Sequence, residues 1–357
     1  MTSGQRTYLP YLDVTRILAV LGVVAIHVVS GGVADGEVGI AVTALDMALK
    51  VAVPIFFMMS GALSLDPAAH RHGPGHFLRR RARRIVPALV VWSAFYLIVI
   101  EGFVSGNPVG SLTELMDLLV RGKTYTHLYF LFAIAGLYLL SPVLAAFLEQ
   151  DERRRAWIVG LAASGWTVAV ISVGQAGGFA EDSTPPVAAG SLTFFLLYAG
   201  YFVLGRALVL TPLPRWCGVV GLATVPGFVA LVTWLYIAQP GGPGGPGPVS
   251  AWVRAFSPVY GSLPIVVYSV VLMAAVSSLF ASWRVPERAV RPLRTLGTAT
   301  FGIFLVHFAV IVVLREALPA LAPYETVPMA ITWVLTVLVS ALIALIGQRV
   351  PGLRLVF

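Results

Sequence analysis

Long apolar stretches alternate with short polar gaps along the whole chain. Ten of these stretches are about 20 residues long, which is the length that an α-helix needs to cross the hydrocarbon core of a bilayer. The pattern therefore predicts an all-α integral membrane protein with about ten transmembrane helices. The predicted spans run roughly over 11–32, 42–64, 85–104, 127–148, 156–175, 190–210, 216–238, 257–281, 297–315 and 327–347.

The polar gaps between the spans are short, and none of them is long enough to fold as a soluble domain. The whole chain, 1–357, is therefore predicted to form one polytopic membrane domain without an appended soluble domain. Apolar residues recur at helical spacing between 112 and 119, which predicts a short interfacial helix. The Gly- and Pro-rich run at 241–248 predicts an irregular loop. No internal repeat is visible, which disfavours a transporter built from inverted halves.

The composition supports a membrane as the solvent of this chain. Apolar residues make up 58% of the sequence and charged residues only 11%, and the mean hydropathy is +0.88. Soluble domains are about one quarter charged, so this chain has too little polar surface to face water on all sides. The single cysteine, Cys217, excludes an internal disulfide and a cysteine-rich metal site.

The basic residues give the spans a direction. If the N-terminus is cytosolic and the spans alternate, only five of the 24 Lys and Arg residues fall in outer segments, and one, Arg16, lies within the first span. Because basic residues concentrate in cytosolic loops, the pattern predicts that both termini are cytosolic. The formal net charge of +8 is then a topology signal, and no nucleic-acid partner is expected. The expected location is a cell membrane crossed many times, namely the bacterial cytoplasmic membrane.

The first span carries three ionisable residues on an otherwise apolar helix. Asp13 and Arg16 are three residues apart and can pair on one face. His27 follows Arg16 by eleven residues, close to a whole number of turns, so both point the same way with about 16 Å between them. Histidine can take a proton from a hydroxyl near neutral pH. Alternatively, Asp13 and Arg16 are interfacial anchors and His27 is a buried hydrogen-bonding residue.

A run of arginines leads into the third span. Five of the six residues at 79–84 are arginine, and helical spacing places Arg80, Arg81 and Arg84 partly on one side. Guanidinium groups bind phosphate through paired hydrogen bonds, which suggests a phosphate-bearing ligand on the cytosolic side. Anionic lipid headgroups and ordinary topology control remain alternatives.

A third set of polar residues is scattered over other spans. Lys50 lies in the second span with Asp46 four residues earlier as a candidate partner, and Ser60 lies further along the same span. His127 opens the fourth span near the outer side, and His307 lies near the middle of the ninth. Single buried histidines are more often structural than catalytic, so Lys50, Ser60, His127 and His307 are interpreted only as candidate acceptor-binding or cavity residues. No cluster has metal-ligand spacing, so no metal site is predicted.

Several of these patterns, in this order, resemble the membrane acyltransferase 3 family of integral-membrane O-acyltransferases. Arg16 and His27, with ten residues between them, resemble the R-x10-H motif of the family's first helix. The run 53–61 resembles its second-helix signature, and Arg81 with Arg84 is similar to its R-x-x-R motif. Further blocks of the resemblance lie at 127–131, 137–142, 201–205 and 301–307.

The resemblance implies a function and a set of roles. The co-substrate would be cytosolic acyl-CoA, usually acetyl-CoA, with no permanently bound cofactor. The acceptor would be a hydroxyl of an envelope glycan, a glycolipid or a natural product, reached through a polar catalytic cavity within the bundle and among membrane lipids. His27 would be the catalytic histidine and Arg16 its motif partner, with Asp13 as a further catalytic residue. The residues expected to hold the donor are Arg80, Arg81 and Arg84.

Two departures from the family pattern matter. The extra arginines allow the R-x-x-R frame to shift to Arg80 and Arg83, and position 304 is Phe where the family often has Tyr. Phe304 therefore offers no hydroxyl. A rival interpretation of the same intramembrane polar residues is a glycan or lipid transporter or flippase that does no chemistry. A membrane-embedded sensing or scaffolding module is a second alternative.

Overall fold

The computed structural model describes residues 8–177, 190–239 and 250–357, and the regular secondary structure of these residues is entirely helical. The predicted loop at 241–248 and Arg6, one of the residues counted for topology, lie outside the described residues. The helices are α1 (Pro10–Ala34), α2 (Ile40–Leu49), α3 (Ala52–Ser64), α4 (Pro67–His70), α5 (Pro74–Phe95), α6 (Leu112–Arg121), α7 (Tyr129–Leu148), α8 (Glu152–Ala176), α9 (Phe194–Leu210), α10 (Arg215–Ile237), α11 (Ala251–Ala255), α12 (Leu263–Phe280), α13 (Glu287–Ala317) and α14 (Thr326–Gly347).

The helices confirm an integral membrane bundle. Within the three described stretches, nine helical segments are long and apolar enough to cross a membrane, with α2 and α3 counted as one. The sixth predicted span corresponds to α9, which has 17 residues. At 1.5 Å per residue it measures about 25 Å, at the short end of the range for a membrane-spanning helix. The side of the membrane on which each end lies remains a prediction.

Two helices extend well beyond their predicted spans. The third span was expected from residue 85, but α5 already begins at Pro74 and continues after Phe95 as a π-helix over Tyr96–Val104. Likewise α13 begins at Glu287, ten residues before its apolar part. Both extensions are rich in arginine, which favours helix without being apolar. The arginine run therefore projects from a regular helix and not from a loop.

The second span is broken in its middle. Helix α2 ends at Leu49 and α3 begins at Ala52, with Lys50 and Val51 between them. Pro54 explains the break, because it has no N–H to donate to the carbonyl of Lys50 four residues earlier and its ring crowds that carbonyl. The span predicted at 42–64 is thus one stretch long enough to cross the membrane, Ile40–Ser64, in which two helices meet at a lysine.

The predicted interfacial segment forms a helix, α6, with well-defined ends. The Ser111 hydroxyl accepts a hydrogen bond from the Glu114 amide at 3.1 Å, which caps the first turn. Gly122 ends the helix with a φ of 64°, a left-handed conformation that glycine adopts without steric cost.

Close contact between α3 and α9 depends on two glycines. A Cβ at Gly61 would lie 1.7 Å from the carbonyl oxygen of Phe202, and a Cβ at Gly205 would lie 1.9 Å from that of Met58. Small residues let membrane helices approach at backbone distance. Next to this crossing, the buried Arg206 pairs with Asp66 at 3.2 Å and Glu152 at 2.6 Å, so it ties α9 to α8 and to the segment after α3.

Candidate active site

Three histidines from three distant parts of the chain meet inside the bundle. His27 lies on α1, His127 lies just before α7, and His307 lies on α13. The ring centroids of His27 and His307 are 5.3 Å apart, those of His127 and His307 are 5.0 Å apart, and those of His27 and His127 are 6.3 Å apart. We call these residues the histidine trio. The sequence identified each of them singly and gave no sign that they meet.

The members of the trio differ in burial. His127 and His307 are fully buried, whereas His27 is half-buried. The Phe308 ring stacks on His127 with centroids 5.7 Å apart and lies 5.0 Å from His27. On the other side of His127, the ring of Phe304 lies 5.4 Å away. Aromatic side chains thus enclose two of the imidazoles and leave His27 at the accessible edge.

Hydrogen bonds assign the tautomer of His307. Its Nδ1 lies 2.7 Å from the carbonyl oxygen of Phe304 and 3.3 Å from that of Ile303. Carbonyl oxygens only accept, so Nδ1 carries the proton and Nε2 is the basic nitrogen. In the described part of the chain, Nε2 of His307 lacks a hydrogen-bond partner. The trio therefore keeps unused proton-accepting capacity in the protein interior.

Tyr96 joins the trio through an unusual contact with α13. Its side chain is fully buried, and its hydroxyl donates to the carbonyl of Leu305 at 2.8 Å and accepts from the amide of Ala309 at 3.2 Å. In a regular α-helix this amide and this carbonyl bond to each other. The hydroxyl is thus inserted into the helix ladder on both sides of His307. The sequence patterns do not single out Tyr96, although a tyrosine in an apolar span needs a partner for its hydroxyl.

The first-span ion pair lies at the other end of α1. Arg16 Nη1 lies 3.2 Å from Asp13 Oδ1, as the spacing predicted. The Tyr8 hydroxyl donates to the other carboxylate oxygen at 2.9 Å. Partial burial, followed by the neighbouring Asp13 carboxylate, raises the pKa of the Tyr8 phenol, so it stays a donor. Asp13 is therefore held from two sides and orients Arg16.

Two arginines of α5 lie toward the bundle near Arg16. Arg81 donates to the Ser64 hydroxyl at 3.0 Å, and its guanidinium lies 4.5 Å from the centroid of the Tyr138 ring. The Arg84 guanidinium lies 4.9 Å from the centroid of the Phe301 ring and within electrostatic range of Arg16 and Arg81. We call Arg16, Arg81 and Arg84 the arginine group.

The remaining arginines of the run lie elsewhere on α5. Arg79, Arg80 and Arg83 are exposed, as is Arg84, whose guanidinium nevertheless lies over the Phe301 ring. Helical spacing places Arg79 and Arg83 on the side away from Arg81, and it places Arg80 beside Arg84. Of the two frames left open by the sequence, Arg81 with Arg84 is the pair that contacts the bundle, and the predicted Arg80 lies at its exposed rim.

The other candidate residues lie on the second span. Lys50 occupies the break between α2 and α3, 3.7 Å from Asp46 Oδ2, and is within electrostatic range of His27. Ser60 is half-buried on α3, beside the α3–α9 crossing at Gly61. Across 8–177, 190–239 and 250–357, no group of three or more His, Cys, Asp or Glu side chains is arranged to hold a metal ion.

Comparison with protein-family models decides the class of this protein. A model described as "Acyltransferase domain" matches residues 9–347. The chain belongs to this acyltransferase family. The match covers nearly the whole chain, which confirms the family resemblance. Comparisons with curated proteins and with solved structures gave no match.

The acyltransferase has two layers of polar residues along α1. Arg16 lies near the start of the helix, with the arginine group around it, and His27 lies about 16 Å further along the same face. The arginine group presents positive charge at one end of the bundle, and the histidine trio presents bases deeper inside. A long, thin, anionic molecule could contact both layers at once.

Proposed function

We propose that this acyltransferase moves an acyl group, in particular acetyl, from acyl-CoA to a hydroxyl of an envelope carbohydrate, a glycolipid or a similar acceptor, with His27 as the general base. The observation that carries this proposal is the position of His27. It is the accessible member of the histidine trio, and it shares a helix face with the arginine group.

The arginine group suits the nucleotide end of coenzyme A. That end is polyanionic and stays out of hydrocarbon, whereas guanidinium groups bind phosphate through charge-assisted hydrogen bonds. Arg81 and Arg84 would hold the phosphates at the mouth of the bundle, with Arg80 at the rim. Arg16, oriented by Asp13, would contact the start of the pantetheine arm. The arm would then span the distance of about 16 Å to His27.

His27 would supply the proton transfer. Its neutral imidazole takes the proton from the acceptor hydroxyl while the hydroxyl oxygen attacks the thioester carbonyl. The tetrahedral intermediate collapses, the C–S bond breaks, and the departing thiolate takes the proton back from His27. The products are an ester and free CoA, and the histidine returns to its starting state. His127 and His307 would line the floor of the site and fix the position of His27 against it.

The predicted topology gives the reaction a direction. If both termini are cytosolic, the arginine group lies on the cytosolic side and receives acyl-CoA, and the acceptor approaches His27 from the outer side. The acyl group would then cross the cell membrane while CoA remains inside.

A CoA-release assay separates this proposal from a flippase without chemistry. Purified protein in liposomes receives [14C]acetyl-CoA and a glycan-bearing extract of the source envelope. We expect free thiol to appear only with the extract, in step with alkali-labile label in the carbohydrate fraction. Movement of glycan or lipid across the bilayer without thiol release would contradict the proposal.

A further inference from the structure

A groove lies between α1, the second span and α12, on the lipid-facing side of the bundle. Its volume is about 460 Å³, within the range of sites that hold small molecules. All three walls belong to segments that are long and apolar enough to cross a membrane. Leu18, which lines the groove, is 62% exposed, and Phe280, which lines it from α12, is 43% exposed. Among the described residues the groove is therefore open toward the lipid, and it shares no lining residue with the histidine trio or the arginine group.

Small residues line the groove next to the break in the second span. A Cβ at Gly22 of α1 would lie 3.3 Å from the Leu49 side chain and 3.5 Å from the Cβ of Ala52, so α1 and the second span are in close contact there. The Tyr268 hydroxyl of α12 donates to the carbonyl of Ala48 at 3.2 Å and ties α12 to the same break. These contacts fix the three walls relative to one another and give the groove a defined shape.

The length of the groove matches one lipid chain of one leaflet. On α1 the groove extends from Tyr11 to Gly22, a separation of eleven residues that measures about 16 Å along the helix. One leaflet contributes half of the hydrocarbon core, which is about 15 Å. The walls are mainly apolar side chains, so a sugar or a nucleotide would lose its hydrogen bonds there. The molecule that both reaches this depth and fits these walls is a lipid chain.

One end of the groove carries residues that are typical of the membrane interface. Trp283 lines it just beyond the end of α12, and Tyr11 lines it at the start of α1. Because spans alternate in direction, the start of the first span and the end of the eighth lie on the same side, which is cytosolic in the predicted topology. Trp and Tyr favour the level of the lipid headgroups. The exposed Arg284 follows Trp283 directly, and an arginine at this level attracts anionic headgroups.

We propose that this groove binds one acyl chain of an anionic phospholipid, with the headgroup at Trp283 and Arg284. The site is independent of the proposed reaction, since it takes neither the donor nor the acceptor. The bound chain fills the gap between the second span and α1, the helix that carries Arg16 and His27. A zwitterionic phospholipid has the same chains but no net negative charge, so Arg284 makes the site prefer an anionic one.

Photo-crosslinking locates the chain. Purified full-length protein is reconstituted in liposomes of phosphatidylethanolamine and phosphatidylglycerol, and the phosphatidylglycerol carries a diazirine near the end of one acyl chain. After irradiation, peptide mass spectrometry should find the label concentrated at 48–55 and 268–276, the stretches that line the groove from the second span and from α12. Label spread evenly over the lipid-facing helices, α8 and α10 included, would overturn the site.

Native mass spectrometry counts the phosphatidylglycerol that stays bound in detergent. We expect one molecule per protein in the wild type and about tenfold lower occupancy in Ala48→Phe and in Val276→Phe, because each added ring takes space that the chain needs and packed walls do not yield. Both positions are half-buried in the walls of the groove. Ala162→Phe, at an exposed position of α8, is the matched control and should keep the lipid.

Wild-type occupancy in a folded groove variant would overturn the proposal, and if one variant fails to fold in a thermal melt, the other decides. Retention of a different lipid, such as a polyprenyl phosphate, by protein taken directly from membranes would overturn the phospholipid as occupant.

The headgroup is tested by Arg284→Gln. Loss of one basic residue near the membrane surface should lower phosphatidylglycerol occupancy about fivefold and leave the occupancy of phosphatidylcholine, offered in its place, unchanged. Arg153→Gln, at an exposed arginine of α8 on the same predicted side, is the control and should change neither. An equal fall for both phospholipids in Arg284→Gln would refute the preference for an anionic headgroup.

Discussion

The arginine group and the histidine trio lie in different physical environments. The arginine group lies near the start of α1 and in the first half of α5, and it brings together three cations, of which Arg16 is paired with the Asp13 carboxylate. The histidine trio is enclosed by aromatic rings, and only His27 is accessible. The first arrangement suits binding of an anion that stays hydrated, and the second suits proton transfer away from water. We infer that affinity for the donor and the rate of the chemical step are encoded in different layers.

The largest effect is expected from substitution of His27, and it should fall on kcat alone. His27→Ala should lower kcat about 10²- to 10⁴-fold, the usual contribution of a general base, and leave the KM for acetyl-CoA unchanged. His76→Ala is the control because His76 is exposed and lies before the arginine run. A His27→Ala enzyme that transfers acetyl at the wild-type rate would show that His27 is not the general base.

The opposite pattern is expected in the arginine group. The double variant Arg81→Ala and Arg84→Ala should raise the KM for acetyl-CoA about a hundredfold or more, since each guanidinium supplies hydrogen bonds to a charged group. The variant Arg79→Ala with Arg83→Ala, on the far side of α5, should change it little. Initial rates at varied acetyl-CoA measure both. An equal effect of the two double variants would show that overall charge matters and not the inward-facing pair.

Tyr96 tests whether the trio depends on a distorted helix. In Tyr96→Phe the amide of Ala309 can bond directly to the carbonyl of Leu305, which closes the α13 ladder and shifts His307. We expect kcat to fall about tenfold with both KM values unchanged, and amide hydrogen exchange at Ala309 to slow. Tyr324→Phe, which removes a hydroxyl bonded to Arg315 at 3.0 Å, serves as control. Faster exchange at Ala309 in Tyr96→Phe would contradict the insertion.

The smallest effect is expected at the rim of the arginine group. Arg80 is exposed, and among the described residues its guanidinium does not lie over a ring as those of Arg81 and Arg84 do. Exposed charges without such contacts contribute little. Arg80→Ala should raise the KM for acetyl-CoA by no more than about threefold, and this rise should vanish at high salt because exposed charges are screened. A rise as large as that of the Arg81 and Arg84 double variant would move the donor site to the Arg80 frame.

The layers also differ in how far the sequence predicts them. The apolar stretches predict the membrane bundle, and the spacing within α1 and α5 predicts the Asp13–Arg16 pair and the shared face of Arg81 and Arg84. These contacts are local, so helix geometry alone determines them. The hydropathy pattern does not predict the first turns of α5 and α13, because the residues in those turns are polar.

The histidine trio depends on contacts that no local pattern contains. Its members lie at positions 27, 127 and 307, and only the packing of separate helices brings them together. The same holds for Tyr96, whose partner carbonyl lies 209 residues further along the chain. The break at Lys50 is an intermediate case, since Pro54 signals it locally while the apolar run around it conceals it.

Equilibrium binding of CoA to the His27→Ala protein tests the central claim most directly. In isothermal titration calorimetry with purified protein, this variant should bind CoA with a Kd within about twofold of the wild type, because the arginine group is intact. The Arg81→Ala and Arg84→Ala double variant should lose about a hundredfold in affinity. A His27→Ala protein that loses CoA affinity to the same extent would contradict the separation of donor binding from proton transfer.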